Sequence, residues 1–310
     1  MIRIHVLLWL GSFFLWYLLY VSSFCALIFP YGAFSLFGYL FVWKLLWSLT
    51  ICSLLSVAFT APAVIPKKFV PPDEFLEKYS RSLLQAIAGW ARSQKLCVRF
   101  RKMATDLGMT KAPNYCYICR LIKPDRAHHC RKCGRCILRM DHHCPVLGEC
   151  IHMHNHKFFM LFLFWASILC IFAAIAVMPT MIYRFVAIYW RGDYTRMIPT
   201  ILVTSGAINA LVCGIALICF LRELMLALLR NETTLEGIAL HEYGEKDAFD
   251  DGIAHYDLGS KFANFKSIFG SDPRLWLLPI PTTYGNGYKF RYFVNNQEVF
   301  KKKRKSSSAK

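Results

Sequence analysis

Between Cys116 and Cys150 one pattern occurs twice, offset by fourteen residues. Cys116, Cys119, His129 and Cys136 read C-x2-C-x9-H-x6-C, and so do Cys130, Cys133, His143 and Cys150. Three thiols and one imidazole suit a tetrahedral Zn²⁺. Two interleaved copies therefore predict two closed structural zinc sites, and any fold must bring both sets of four together. A disulfide framework would leave the matched histidines unexplained.

The repeat also isolates one cysteine. His128-His129-Cys130 recurs as His142-His143-Cys144, but the position that should pair with Cys144 is Leu147. Cys144 is thus a thiol without a ligand role, beside a spare His142 and the acid Asp141. In the first copy Ala127 stands in the acid's place. A one-residue slip, with His142 as ligand and His143 spare, is the alternative assignment.

Of the 310 residues 56% are hydrophobic, yet the formal net charge is +18. A membrane protein with large basic cytosolic parts reconciles the two. Crossing a bilayer takes roughly 20 apolar residues, and four stretches qualify: 6–29, 34–60, 158–183 and 198–221. The first is too long for a signal-peptide core and lacks a small-residue cleavage site after it, so it reads as a span. Pro30-Tyr31-Gly32 turns the chain between spans one and two, so 1–63 is expected to be a transmembrane hairpin. The order continues with a connector over 64–115, the cysteine-rich domain over 116–157, spans three and four within 158–221, and a C-terminal region over 222–310. The expected fold class is an all-α polytopic membrane protein with a two-zinc domain between helices two and three.

Lys and Arg orient it. Eighteen lie in 61–157 and fourteen after residue 221, against three in the loop 184–197 and none in the first turn. Positive charge marks the cytoplasmic side, so both termini and the zinc domain are expected in the cytosol. That side is reducing, which favours zinc over disulfides. It also removes Asn231-Glu232-Thr233 as a glycosylation site. Within the connector Phe75, Leu76, Tyr79, Leu83, Ile87 and Trp90 recur at threes and fours, a helical pattern suited to the membrane surface, the zinc domain or a packed linker. After span four, RELMLALLRNETTLEGIAL continues as an amphipathic helix. The tail Lys301–Lys305 with Ser306–Ser308 is a basic stub, either solubilising or drawn to anionic lipid. Nucleic acid is not an expected partner.

A free thiol has a pKa near 8.5. An adjacent imidazole and surrounding cations lower it, and Asp141 is placed to fix the tautomer and orientation of His142. Nucleophile, base and orienter together suit acyl transfer. The site lies about fourteen residues before a span, so its substrate is expected at the membrane surface. A long-chain acyl-CoA offers a thioester, an apolar chain for the spans and an anionic head for Arg and Lys.

The run Asp141-His142-His143-Cys144 within this segment resembles the DHHC protein S-acyltransferases (palmitoyltransferases). Asn155 and Phe159 match that family's Asn-x3-Phe at the entry to span three. Thr233-Thr234-Leu235-Glu236 matches its Thr-Thr-x-Glu motif, and Asn264 through Gly270, with Trp276 and Pro279, is similar to its C-terminal motif. The resemblance implies a splayed four-helix bundle with the acyl chain in a cavity among the helices. It implies two steps: Cys144 takes an acyl group from acyl-CoA, palmitoyl-CoA above all, and a cysteine of a membrane-associated protein then takes it from the thioester. It implies that Asp141 and His142 complete the catalytic set and that Thr234 hydrogen-bonds near Asp141. Thr233, Glu236 and Asn264 are the further supporting residues, Asn264 packing the tail against the spans. It places the zinc ligands on the same eight positions. The expected location is a multi-pass protein of the Golgi or endoplasmic reticulum, or of the plasma membrane.

The chain departs from that family after Cys144-Pro145. Where the family continues Trp-x-Asn-Asn-Cys, this chain has Val146, Leu147, Gly148, Glu149 and Cys150. An aromatic flank of the acyl chain is lost, and Glu149 adds negative charge near the expected CoA site. The Asp-Pro-Gly motif expected after span two is replaced by Val70-Pro71-Pro72-Asp73. These losses motivate a second reading, a catalytically weak or inactive zinc-bearing membrane scaffold. A channel is a third, with little support from spans almost free of charge. His152, His154 and His156 form an additional histidine set that could bind metal.

Overall fold

The computed structural model describes residues 33–79, 82–105, 108–195, 197–239, 256–291, 293–294 and 297–298, with scattered helical positions between 7 and 18. The expected first span, the turn after it and the basic tail from Lys301 to Lys305 lie for the most part or wholly outside those residues.

Three described helices are long and apolar enough to cross a membrane: α1 (Ala33–Phe59), α4 (His156–Arg191) and α5 (Met197–Leu229). Helix α4 packs against both α1 and α5. At one level Gly214 lets α5 approach α4 so closely that a Cβ would meet the Ile171 side chain at 3.0 Å and Cys170 at 3.2 Å. Helices α4 and α5 each run eight residues past the limits expected from apolar length. Helix α4 continues through the exposed aromatics Tyr189 and Trp190 and stops at Gly192, whose φ of +61° caps it. Such rings suit a membrane–water boundary. Helix α5 continues along the amphipathic stretch after the span and ends before Asn231, at φ +52°.

Two shorter helices, α2 (Asp73–Lys78) and α3 (Leu83–Ser93), form the connector. Their apolar face meets the cysteine-rich segment, since Leu76, Ile87 and Ala91 share a buried cluster with Phe69, Tyr115 and Ile122. Of the placements open from sequence, the zinc domain is the one observed. A hairpin that the helical pattern did not anticipate follows, β1 (Phe100–Thr105) with β2 (Gly108–Pro113).

The cysteine-rich segment corrects the all-α expectation. It is three consecutive two-stranded hairpins: β3 (Tyr115–Cys116) with β4 (Leu121–Ile122), β5 (His128–Cys130) with β6 (Arg135–Ile137), and β7 (Met140–Cys144) with β8 (Glu149–His152). Their registers repeat the fourteen-residue offset, with Cys116 opposite Leu121, Cys130 opposite Arg135, and Cys144 opposite Glu149. In each hairpin the fourth residue after the cysteine has positive φ: Arg120 at +51°, Gly134 at +65° and Gly148 at +63°. The sequence repeat is thus a repeat of one small structural unit, three times over. The spacing is set by ligands rather than by alternating apolar residues, so the strand period does not show in it.

After α5 come a short helix, α6 (234–239), and α7 (Lys261–Phe269), capped by the Ser260 hydroxyl accepting from the Ala263 N–H. The C-terminal segment returns to the start of α4. There the buried Lys157 donates to the carbonyls of Leu275 and Ile280 at 2.8 and 2.9 Å and to the Thr282 hydroxyl at 2.8 Å. Its stem packs while its ammonium ties three points of the returning chain. Lys157→Met keeps the stem and strands those acceptors. It should cost about 2 kcal/mol, read as a fall of roughly 4–8 °C in the unfolding midpoint of detergent-purified protein.

Candidate active site

In the first ligand set the thiols of Cys116, Cys119 and Cys136 lie 3.5, 3.2 and 3.9 Å from His129 Nδ1. In the second, Cys130, Cys133 and Cys150 lie 3.5, 3.5 and 3.6 Å from His143 Nδ1. A tetrahedral ion with Zn–N and Zn–S bonds of about 2.0–2.3 Å spaces its ligand atoms at roughly 3.3–3.8 Å. Both clusters fit zinc, and among the described residues they are the only groups of this kind. The hairpins explain the His-x6-Cys spacing, because His129 pairs with Cys136 and His143 with Cys150 across the strands. Each C-x2-C forms a knuckle in which the second cysteine's N–H donates to the first sulfur at 3.4 Å. His143 lies within the second set, whereas His142 lies outside it, on Asp141.

Cys144 begins the third knuckle. The N–H groups of Leu147 and Val146 face its sulfur and act to lower its pKa, as those of Cys119 and Ile118 do at Cys116. Here Leu147 replaces the second thiol and is itself buried in apolar packing with Leu54, Val57, Phe158 and Leu224. Cys144 sits in the same cluster, so the thiol lies at one end of the helical bundle. Burial raises its pKa, but the hydrogen bond with His142 and the knuckle N–H groups outweigh that and lower it.

His142 Nδ1 lies 2.7 Å from Asp141 Oδ2, and its ring meets Phe159 edge to face at 5.4 Å. Burial disfavours the imidazolium, but the Asp141 hydrogen bond and the Cys144 side chain prevail and push its pKa up to about 9. Asp141 is buried, yet its carboxyl is held well below the usual range by His142, His156 and the Thr234 N–H. The Thr234 N–H reaches Asp141 Oδ1 at 3.0 Å and its hydroxyl reaches Oδ2 at 2.7 Å.

The remaining motif residues hold this unit in place. Asn155 accepts from the His152 N–H at 2.7 Å and donates to the carbonyls of Cys150 and Val57 at 3.0 and 3.4 Å, pinning β8 to α1. Asn264 donates to the Leu229 carbonyl and to Asp257, both at 2.8 Å, and accepts from the Leu258 N–H. Thr233 and Glu236 form a reciprocal cap at the start of α6, with Glu236 accepting the Thr233 N–H at 2.9 Å and Thr233 the Glu236 N–H at 3.2 Å. Thr-Thr-x-Glu is thus a capping box whose first helical residue faces Asp141.

Chain comparison agrees with this architecture. A family described as DHHC palmitoyltransferase matches residues 109–241. Palmitoyltransferase ZDHHC15 of Xenopus laevis is 30% identical over 267 residues, covering 82% of this chain and 71% of that one. Palmitoyltransferase ZDHHC20 of Mus musculus is 33% identical over 278 residues, covering 83% and 66%. Palmitoyltransferase ZDHHC15A of Danio rerio is 35% identical over 199 residues, covering 64% and 56%. The chain belongs to the DHHC palmitoyltransferase family. In these three pairings it spans between 56% and 71% of the relative's length.

Against the family pattern, Gly148 ceases to be a loss. Its φ of +63° is a left-handed position, open to glycine and, more than to other residues, to asparagine. Glu149, expected to add charge near CoA, is only 2% exposed and bonds the Cys150 N–H at 3.2 Å. Val146 is 46% exposed and leaves its flank open. The histidine set does not gather as ligands. His152 takes the His154 N–H at Nδ1 and meets the Thr60 carbonyl at Nε2, and burial pushes its pKa down to about 4. His156 Nδ1 accepts from Arg139 at 3.2 Å. Sequence reasoning missed Arg126, Arg139 and Asn231, all buried beside Asp141 and Glu236. The one signal that touched them was Asn231, read there as a discarded sequon.

Two outcomes check this site. Elemental analysis should give about two zinc per chain. Gly148→Asn should leave stability near wild type, whereas Gly148→Val, a β-branched residue at positive φ, should cost about 1–2 kcal/mol in a thermal melt.

Proposed function

We propose that the protein is a protein-cysteine S-palmitoyltransferase that carries the acyl group on Cys144. The observation that carries this reading is a third hairpin with the register and left-handed turn of the two ligand hairpins, in which buried Leu147 stands in place of the second cysteine and the Asp141–His142 pair adjoins Cys144. Cys144 thiolate attacks the thioester carbon of a long-chain acyl-CoA, forming a Cys144 thioester and expelling CoA thiolate. The His142 imidazolium gives that thiolate its proton. Neutral His142 then takes the proton from a substrate cysteine, whose thiolate attacks the Cys144 thioester and releases Cys144 as thiolate. Asp141 holds Nδ1 of His142 throughout, leaving Nε2 to move the proton. Zinc bound by the two sets of three cysteines and one histidine would fix the hairpins that flank Cys144.

The same reading supplies the topology. Stretch 6–29 is a fourth span, the apolar chain lies among the helices, and the zinc domain with both termini faces the cytosol. Substrates are membrane-associated proteins presenting a cysteine at the inner face of a Golgi, endoplasmic reticulum or plasma membrane. A scaffold with weak activity is the competing reading, favoured by the exposed Val146 where relatives are expected to carry an aromatic residue.

Purified protein given labelled palmitoyl-CoA should acquire label through a hydroxylamine-sensitive bond at Cys144, and Cys144→Ser should carry none there. Label at the active-site peptide of that variant would overturn the proposal, and an unlabelled wild type would favour the scaffold. Alkylation supplies the pH sign. The lowered Cys144 pKa and raised His142 pKa keep a thiolate–imidazolium pair at pH values where an ordinary thiol is protonated. Iodoacetamide should therefore modify Cys144 at a pH below that needed for an ordinary thiol, whose reference pKa is about 8.5. His142→Ala should move that profile to higher pH.

A further inference from the structure

Five non-glycine residues among those described have positive φ, and three of them meet. Arg126, Arg139 and Asn231 stand at +63°, +42° and +52°, and both guanidinium groups converge on Asn231 Oδ1, at 3.1 and 3.5 Å. Arginine enters that backbone region at a cost and asparagine more readily, so two such arginines on one asparagine mark a junction over-determined by its contacts.

Arg126 is the centre of that junction. Its side chain is 1% exposed. Nε and Nη2 donate to the two oxygens of Glu236, each at 2.8 Å, and Nη2 also reaches the Asn231 carbonyl at 2.7 Å. The ring of Tyr256 lies 4.2 Å and that of Phe290 5.1 Å from the guanidinium carbon. Asn231 in turn donates to the Tyr256 carbonyl at 2.7 Å. One planar cation therefore joins the cysteine-rich segment, the end of α5 and the C-terminal segment. A fork on a carboxylate fixes direction as well as distance, which an ammonium cannot do.

That direction has a consequence. The Glu236 carboxylate gripped by Arg126 is the one that closes the cap of α6, and the first N–H and hydroxyl of α6 are those of Thr234 on Asp141. We propose that Arg126 is a positioning residue for acyl transfer. It clamps Glu236, so the α6 start stays aimed at Asp141 and the His142 ring stays set against Cys144. The inference rests on the roles proposed above for Asp141, His142 and Cys144.

The test is single-turnover acylation by labelled palmitoyl-CoA in wild type, Arg126→Lys, Glu236→Gln, Thr234→Ala and the double variant Arg126→Lys/Thr234→Ala. Zinc content is measured on each, with Cys144→Ser as control. Arg126→Lys and Glu236→Gln should each slow Cys144 acylation roughly tenfold, with two zinc retained and the KM for palmitoyl-CoA unchanged. The iodoacetamide profile of Cys144 should move to higher pH in both. In the Thr234→Ala background Arg126→Lys should cost little further, because both act along one path. Wild-type rates in both single variants, or losses that multiply in the double variant, would overturn the proposal. If Arg126→Lys is recovered without its zinc, Glu236→Gln with Thr234→Ala forms the deciding pair. A labelled Cys144→Ser active-site peptide would remove the underlying reading. An unlabelled one beside a wild-type-rate Arg126→Lys would remove only the role of Arg126.

Discussion

The hydrogen bond from a knuckle N–H to a cysteine sulfur is the interaction on which the rest of this structure depends. It occurs at Cys116 and Cys130, where the sulfur also faces three other ligand groups. At Cys144 the same hairpin and the same left-handed turn recur, with the Leu147 N–H at the matching position. The difference is chemical, since the second cysteine has become Leu147 and His142 stands beside the sulfur. A geometry that stabilises thiolate for a metal stabilises it equally well for a thioester carbon. The Cys144 hairpin thus reads as a zinc knuckle whose second thiol has been replaced.

Rigidity is what the two liganded hairpins contribute. Each hairpin is too short to hold its own register, and strands of two to five residues have little pairing to resist slippage. Tying His129 to Cys136 and His143 to Cys150 pins the register at the point next to Cys144. The membrane helices complete the mounting. Asn155 and Phe159 at the start of α4, Leu54 and Val57 of α1, and Leu224 of α5 enclose the third hairpin. Cys144 therefore meets the apolar ends of the helices on one side and the polar Asp141–Thr234 junction on the other.

Much of this was legible from sequence because it is written in ligand arithmetic and apolar length. The fourteen-residue offset named the eight residues that gather into two metal-sized clusters and left Cys144 over, and three of the four expected spans correspond to helices. What escaped was carried by backbone conformation and by long-range pairing. The strands escaped because ligand spacing masks alternation, and Gly148 looked like a defect because its φ is invisible in a one-letter code. Glu149 looked exposed because nothing in its neighbourhood announces a buried acid. The Arg126–Glu236 pair spans 110 residues, and no local pattern links its members. The connector hairpin β1–β2 lies beyond the helical pattern of Phe75 to Trp90, and its register depends on a partner strand.

The central claim is that two knuckles hold metal and the third holds a free, activated thiol. Iodoacetamide footprinting of the zinc-loaded protein at neutral pH, with mass mapping of the seven cysteines between 116 and 150, tests it most directly. The account predicts rapid modification of Cys144 alone, with the other six becoming reactive only after chelation. Modification of several cysteines at similar rates before chelation, or an inert Cys144, would contradict it.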